Sequence, residues 1–303
     1  MITGASGFLG GHLCQQAQKK WEVIGAYHSN KTIPADILAV QIDLADRRTL
    51  VEILNEANPA VIIHAAVLQV DACEHDPLLG HMINIEATRT IAGWCAQHRR
   101  RLIYISSDLV FDGSLSWYKE TDTPQPIMRY GENKLWAEKA ALEACHDACV
   151  ARLPLMYGFP VAGGSNFFMS MIPSLQRSER VRVFSDQYRT PGLVNNMAEA
   201  VLELAESDFK GVIHIAGTQR CSREEMARSI CRLMGFDENL LEPVSMFEIK
   251  MPAPRPQEVS LDSSLAQKIL KTRLIGYDEG VSMCMLSRNR ATIVNNSREK
   301  VYF

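Results

Sequence analysis

The sequence predicts an α/β protein, a doubly wound parallel sheet with a smaller C-terminal lobe. Three observations predict it. The first half of the 303 residues alternates short apolar runs with amphipathic stretches of helical length, a glycine-rich turn follows the opening Met1-Ile2, and the alternation loosens after about residue 160. Strands covered by helices on both faces read as such near-continuous apolar runs.

Strands are expected at 21–27 (WEVIGAY), 38–42 (LAVQI), 60–65 (AVIIHA), 101–106 (RLIYIS) and 149–153 (CVARL), with helices at 8–19, 46–57, 84–98 and 130–147. The basic run HRRR (98–101) falls where a helix ends before a strand, and cations there complement the helix dipole. After LPLMYGFP come a helix (166–178), an extended piece (181–184), the polar loop SDQYRTPG, a helix (194–206), the strand GVIHIAG, a helix (222–234) and the proline-rich KMPAPRPQ. The expected division is 1–160 with a return segment near 190–216, and a second lobe from 161–189 and 217–303. Only three residues precede Gly4, whereas a buried strand usually has about 5–6. Either the first strand is clipped, or apolar residues are expected upstream of Met1.

Composition excludes several classes. With 47% hydrophobic and 22% charged residues the chain reads as globular, and a net charge of −3 gives no general case for nucleic acid or anionic membrane. No apolar stretch reaches membrane-spanning length, and no signal peptide is visible, so a cytoplasmic protein is expected. Eight scattered cysteines suit reduced thiols. Cys145 and Cys149 flank His146 one helical turn apart, but a metal site needs more convergent ligands, so none is expected.

TGASGFLGGHL places Gly4, Gly7 and Gly10 between an apolar start and a helix. Such a turn lets backbone N–H groups approach a pyrophosphate at a helix N-terminus, which points to a dinucleotide held by Gly4, Ser6, Gly7, Phe8, Leu9 and Gly10. An acidic residue about 20 positions further on would bind ribose hydroxyls and repel a 2′-phosphate. His28-Ser29-Asn30-Lys31 stands there, with no carboxylate before Asp36, which tilts the cofactor toward NADPH, with NADH as the alternative. Asp43, followed by Leu44, is either a partner of the adenine amino group or the N-cap of the next helix. Ala65 and Ala66, at the end of the strand 60–65, complete the expected cofactor-facing set.

RYGENKLW (129–136) sets Tyr130 and Lys134 on one helical face. Gly131 interrupts that turn at a cost of about 1 kcal/mol relative to alanine, which makes sense where something approaches closely. Ser107 ends the strand in YISSDLVFDG. Ser107, Tyr130 and Lys134 together resemble the catalytic set of the extended short-chain dehydrogenase/reductase superfamily. More narrowly, GASGFLG, HAAVLQVDACEHDP, NIEAT, YISSDLVFDG, YGENK, RLPLMYG, SDQYRTP and RPQEVSLD resemble the dTDP-4-dehydrorhamnose reductase family, to about residue 265. The tail RNRATIVNNSREKVYF carries no such likeness.

The resemblance implies a Rossmann domain and reduction of a nucleotide-linked 4-keto sugar. Tyr130 is then the general acid, Ser107 a hydrogen-bond donor to the substrate oxygen, and Lys134 the holder of the nicotinamide ribose. A free phenol has a pKa of about 10, and lowering it by ~3 units needs about 4 kcal/mol of preferential phenolate stabilisation, which the Lys134 ammonium is expected to supply in a water-poor cleft beside a cationic nicotinamide. Asp108, Leu109, Leu155 and Arg255 join Ser107 on the expected substrate side, Arg255 either contacting a phosphate or fixing the proline-rich loop through an ion pair. Where the family usually has tyrosine this chain has Leu109, and where it often has tryptophan this chain has Leu155, which weakens the case for a dTDP-sugar in particular. RLPLMYG is also similar to the regulatory β-subunit of methionine adenosyltransferase, a binding partner by trade, and a sugar-nucleotide epimerase is a third alternative. Asp186 and Gln187 are motif positions with structural roles in view, and Glu120 reads as a loop charge. The expected partners are a nucleotide-sugar and, as one possible assembly, a second copy of the chain.

Overall fold

The computed structural model describes residues 1–286, which leaves the tail from Arg288 onward outside the described residues. The chain enters at β1 (Ile2–Thr3), turns through the glycine-rich loop into α1 (Phe8–Ala17), and continues as β2 (Ile24–Tyr27), β3 (Leu38–Gln41), α2 (Arg47–Ala57) and β4 (Val61–His64). Two short helices, α3 (Val70–His75) and α4 (Pro77–His81), run through one π-helical turn (Met82–Glu86) into α5 (Ala87–His98). Then come β5 (Arg101–Ser107), α6 (Arg129–Ala144), β6 (Ala148–Leu153) and β7 (Met156–Tyr157). The C-terminal part holds α7 (Phe167–Gln176), β8 (Val181–Phe184), β9 (Tyr188–Arg189), β10 (Gly192–Leu193), α8 (Val194–Glu206), β11 (Gly211–His214), β12 (Cys221–Ser222), α9 (Arg223–Met234), β13 (Leu241–Val244) and α10 (Ser264–Ile269).

Seven of these strands form one parallel sheet in the order β11-β6-β5-β4-β1-β2-β3. The fold is therefore the doubly wound α/β class. Alternation along β4 and β5 sends Ile62, Leu102 and Tyr104 to one face and Ile63, Ile103 and Ile105 to the other. The first face packs on α2, α5 and α6 through Leu50, Leu54, Ile91 and Ala141, and the second on α1 and α8 through Leu13, Val201 and Leu204. Strand order reverses between β1 and β4, so a crevice opens beyond their carboxyl ends, the usual ligand position in such sheets.

Beside the sheet, β8 and β13 pair in parallel, and α7 and α9 bury Phe168, Met171, Leu175, Met226 and Ile230 against them. A capping box starts α9: Ser222 Oγ accepts from Glu225 N at 3.0 Å, and the Glu225 carboxylate accepts from Ser222 N. Two features differ from the sequence expectation. The helix expected at 84–98 begins with a π turn, and α3 and α4 form in a stretch to which no element was assigned, α4 being capped by Asp76 with Pro77 at its first position. All eight cysteines are buried. Among the described residues no helix is long and apolar enough to cross a membrane.

Candidate active site

The glycine-rich loop leaves β1 with Gly4 at φ +69°, a left-handed conformation. A Cβ on Gly10 would stand 1.9 Å from the Gly4 carbonyl oxygen, so only glycine lets α1 begin this close beneath the turn. Gly7 is the N-cap of α1 and no side chain caps that helix end, the kind of N-terminus that suits an anion. The partner strand is pinned next to it. Thr3 Oγ1 lies 2.7 Å from His64 Nδ1 and accepts from Ala66 N at 3.1 Å, bringing Ala65 and Ala66 against Gly4. From the far side, Gly163 N donates to the Ser6 carbonyl at 3.1 Å. Phe8 opens α1 on the cleft side, whereas Leu9 points into the core.

His28 is exposed beyond β2, and Leu44 is half-buried beyond β3. The cap alternative for Asp43 falls to a neighbour. Among the described residues the Asp43 carboxylate accepts from Ala45 N alone, at 2.9 Å, while Asp46 accepts from Arg48 N and Thr49 N and is the N-cap of α2. The hydroxyl of Thr49, which also donates to Asp46, holds its carboxyl below the usual range.

Ser107 ends β5, and its hydroxyl donates to Asp108 Oδ1 at 3.0 Å and accepts from Leu109 N at 3.2 Å. Tyr130 stands one residue into α6, buried beside Ser107. Lys134 lies a turn further on, fully buried behind Tyr130, with Nζ donating to the Ile105 carbonyl at 2.7 Å and 5.8 Å from the Tyr130 ring centre. The chain by itself does not lower the phenol. Burial pushes the Tyr130 phenol up and the Asp108 charge adds to it, with only the Ser107 hydroxyl opposing. Burial also pulls Lys134 down to about 7, against the charges of Glu138 and Cys73. Taking a charge out of water outweighs the pair's mutual help.

Ser107, Asp108, Leu109, Tyr130, Leu155 and Arg255 line a single cleft of about 630 Å³ together with Phe8. Lys134, His28 and Asp43 are not on its wall. Arg255 forms the ion pair of the two alternatives, donating to Asp71 at 2.6 Å and to the Ala253 carbonyl at 3.0 Å, while remaining on the cleft wall. Asp108 is buried, with Arg189 Nε 3.6 Å from its second oxygen, and its carboxyl is raised by burial.

Three cleft residues escaped the sequence reading of the site. Arg189 is fully buried, bonding the carbonyls of Tyr188 and Pro256. Gln187, read as structural, is buried on the cleft wall and accepts from Arg223 Nε at 3.0 Å. Arg223 reads in sequence as the charged first residue of a capped helix, and nothing local marks it. Asp186 accepts from Ser245 Oγ at 2.6 Å and Met246 N at 2.8 Å and serves the loop. Glu120 accepts from His214 N at 2.9 Å, away from the cleft.

Known proteins are similar over nearly the whole chain. The probable low-salt glycan biosynthesis reductase Agl14 of Haloferax volcanii is 32% identical over 87% of this chain and 89% of its own length. The methionine adenosyltransferase 2 subunit beta of Pongo abelii is 31% identical over 87% of this chain and 80% of its own. The crystal structure of dTDP-4-dehydrorhamnose reductase from Bacillus anthracis in complex with NADP superposes with a TM-score of 0.83 at 26% identity, covering 94% of this chain and 98% of that one. The model of the RmlD substrate binding domain family matches residues 1–289, and the chain belongs to that family.

Proposed function

We propose that the protein is an NAD(P)H-dependent reductase of the 4-keto group of a nucleotide-linked deoxysugar, with NADPH as the preferred cofactor. The observation that carries this reading is Ser107 and Tyr130 on one cleft wall, backed by Lys134 and adjoining a glycine loop with an uncapped helix end. The cradle suits a dinucleotide because a Cβ at Gly4 or Gly10 would fill it. In this reading Gly4, Ser6, Gly7, Phe8, Leu9 and Gly10 hold its diphosphate, His28, Asp43 and Leu44 its adenosine half, and Ala65, Ala66, Tyr130 and Lys134 its nicotinamide ribose. When bound, the reduced nicotinamide supplies the hydride.

The chain's own residues supply the rest. Ser107 donates a hydrogen bond to the substrate carbonyl oxygen and orients it. Tyr130, kept protonated by its burial, gives its phenolic proton to that oxygen as the alcohol forms. Lys134, when charged, stabilises the phenolate left behind. Asp108, Leu109, Leu155 and Arg255 contact the sugar nucleotide from the cleft wall. The substrate lobe comprises 161–189 and the part after 217, set against the cofactor domain of 1–160 with its return at 190–216.

The test is a panel of keto-sugar nucleotides assayed by NADPH and NADH oxidation. Turnover with at least one supports the reading, and none across the panel defeats it. A second reading, a cofactor-binding regulatory subunit, is favoured by the 31% identity to the methionine adenosyltransferase subunit. It predicts no keto-sugar-dependent oxidation and an effect on a partner enzyme's rate.

A further inference from the structure

Four arginines stand on the cleft wall, and three have partners for their charge. Arg189 faces Asp108, Arg255 pairs with Asp71, and Arg182 lies 3.8 Å from Glu242. Arg223 differs. Its Nε donates to the neutral Gln187 side chain, and its guanidinium stands 4.9 Å from the Phe167 ring centre. Among the described residues no carboxylate lies within 4 Å of it, and its Nη1 is a buried nitrogen without a hydrogen-bond partner. Burial, then the neighbouring Arg189, pull its pKa down to about 9, so it remains charged at neutral pH. Holding a guanidinium in a partly dry cleft with no carboxylate in ion-pair contact is costly, and buried charges are ordinarily paired.

We propose that Arg223 is a built-in oxyanion receptor that grips the diphosphate of the substrate. The inference rests on the sugar-nucleotide reading and names the group that the reading left unassigned. Three features favour a diphosphate. The guanidinium fork matches phosphoryl oxygens and offers paired donors. Among the described residues Asp108 is the one carboxylate on the wall, and since Asp71 and Glu242 offset Arg255 and Arg182 from outside it, the charge left over is that of Arg223, which suits an anion there. Arg223 also lies within electrostatic reach of both Asp108, next to Ser107, and Arg255, in the proline-rich loop. A diphosphate bridging that interval would leave the sugar toward Ser107 and Tyr130. Gln187 and Phe167 hold the guanidinium in place from its Nε edge and from the ring side.

Calorimetric titration of the NADP-loaded protein with dTDP and with UDP tests this. Arg223→Gln is expected to weaken the better-bound diphosphate by about 10- to 100-fold, with NADP affinity unchanged. Arg223→Lys should restore part of the loss, since it keeps the charge and gives up the fork. If the glutamine variant no longer binds NADP, the lysine variant carries the comparison, and its diphosphate affinity must fall below wild type. Equal affinity in wild type and variant overturns the inference. In turnover, Arg223→Gln should raise KM and leave kcat within a few-fold. Arg223-dependent diphosphate binding without any keto-sugar turnover would leave the receptor standing and remove the reductase reading. Turnover and diphosphate binding that both ignore Arg223 would do the opposite.

Discussion

A Cβ on Gly131 would lie 2.2 Å from the carbonyl oxygen of Leu109 and 2.8 Å from Pro126 Cβ. The close approach that the helix glycine signals is thus made by the protein's own backbone. It seats the start of α6 directly on the turn that follows Ser107, which fixes the distance between the two hydroxyls. Gly131→Ala raises helix propensity by about 1 kcal/mol but must displace that turn. The expected outcome is a net loss of roughly 1–3 kcal/mol, as in other overpacked sites, with turnover reduced as Ser107 moves from Tyr130. Denaturant unfolding and kcat measure both, and a variant more stable than wild type would contradict the packing.

Lys134 makes stability depend on pH with a definite sign. Its pKa is about 7 in the folded protein and 10.5 by the ordinary value. Between those values the unfolded chain holds a proton that the folded one has released, so this group's contribution to stability rises with pH. Its destabilising effect is fully present below about 7 and has gone above about 10.5. Buried cysteines and tyrosines act in the opposite direction, but they are common to a variant. Wild type should therefore gain about 2 kcal/mol relative to Lys134→Met between pH 7 and 9. Parallel pH trends for the two proteins would show that the ammonium is not desolvated.

Much of the sheet was legible because buried parallel strands leave unbroken apolar runs, and β5, with all seven residues buried, is the plainest case. The glycines were legible for a related reason, since a tight turn beneath a helix demands their residue type, whereas Ser107 and Tyr130 were read through a resemblance and the structure shows them on one cleft wall. Arg223 was not legible. Its partner Gln187 lies 36 positions away, and only tertiary packing reveals that its charge lacks an anion. The upward shift of Tyr130 was hidden too, because spacing places Lys134 near the ring but says nothing of how much water both lose. Asp43 and Asp46 show the limit within a single turn. Both precede α2, and only the one whose carboxylate reaches two N–H groups is its cap.

Cofactor choice follows from the end of β2. His28 is exposed there, and the next carboxylate, Asp36, comes eight positions later in a left-handed turn. With no carboxylate to repel a 2′-phosphate, NADPH is expected to bind at least as tightly as NADH. Fluorescence titration of both decides it. A clear preference for NADH would mean that Asp36 reaches the ribose.

Leu109 and Leu155 are both half-buried on the cleft wall and offer aliphatic surface where a planar base or sugar face could otherwise stack. Replacing them with aromatic residues (Leu109→Tyr with Leu155→Trp) should shift selectivity among keto-sugar nucleotides toward the dTDP-rhamnose precursor while hydride chemistry persists. The readout is the ratio of kcat/KM values across the panel. An unchanged ratio would show that neither side chain meets the substrate.

Tyr130→Phe separates an enzyme from a binding module. The change removes one hydroxyl from a buried ring and leaves the packing of α6 on Cys73 and Met128 in place. If the phenol donates the proton, turnover should fall by about 10²–10⁴-fold, the usual contribution of a general acid, with cofactor affinity nearly unchanged. Ser107→Ala should also act mainly on kcat if, as proposed, its hydroxyl contacts the reacting oxygen and not the cofactor. Lys134→Met should lower both rate and cofactor affinity if, as proposed, one ammonium serves the phenolate and the ribose. The three variants therefore give three distinct patterns of kcat and cofactor Kd, which a general loss of folding would not reproduce. Wild-type turnover matched by an equally active phenylalanine variant would remove Tyr130 as the acid. Absence of turnover in the wild type, with a partner enzyme's rate altered equally by both proteins, would assign the scaffold to regulation.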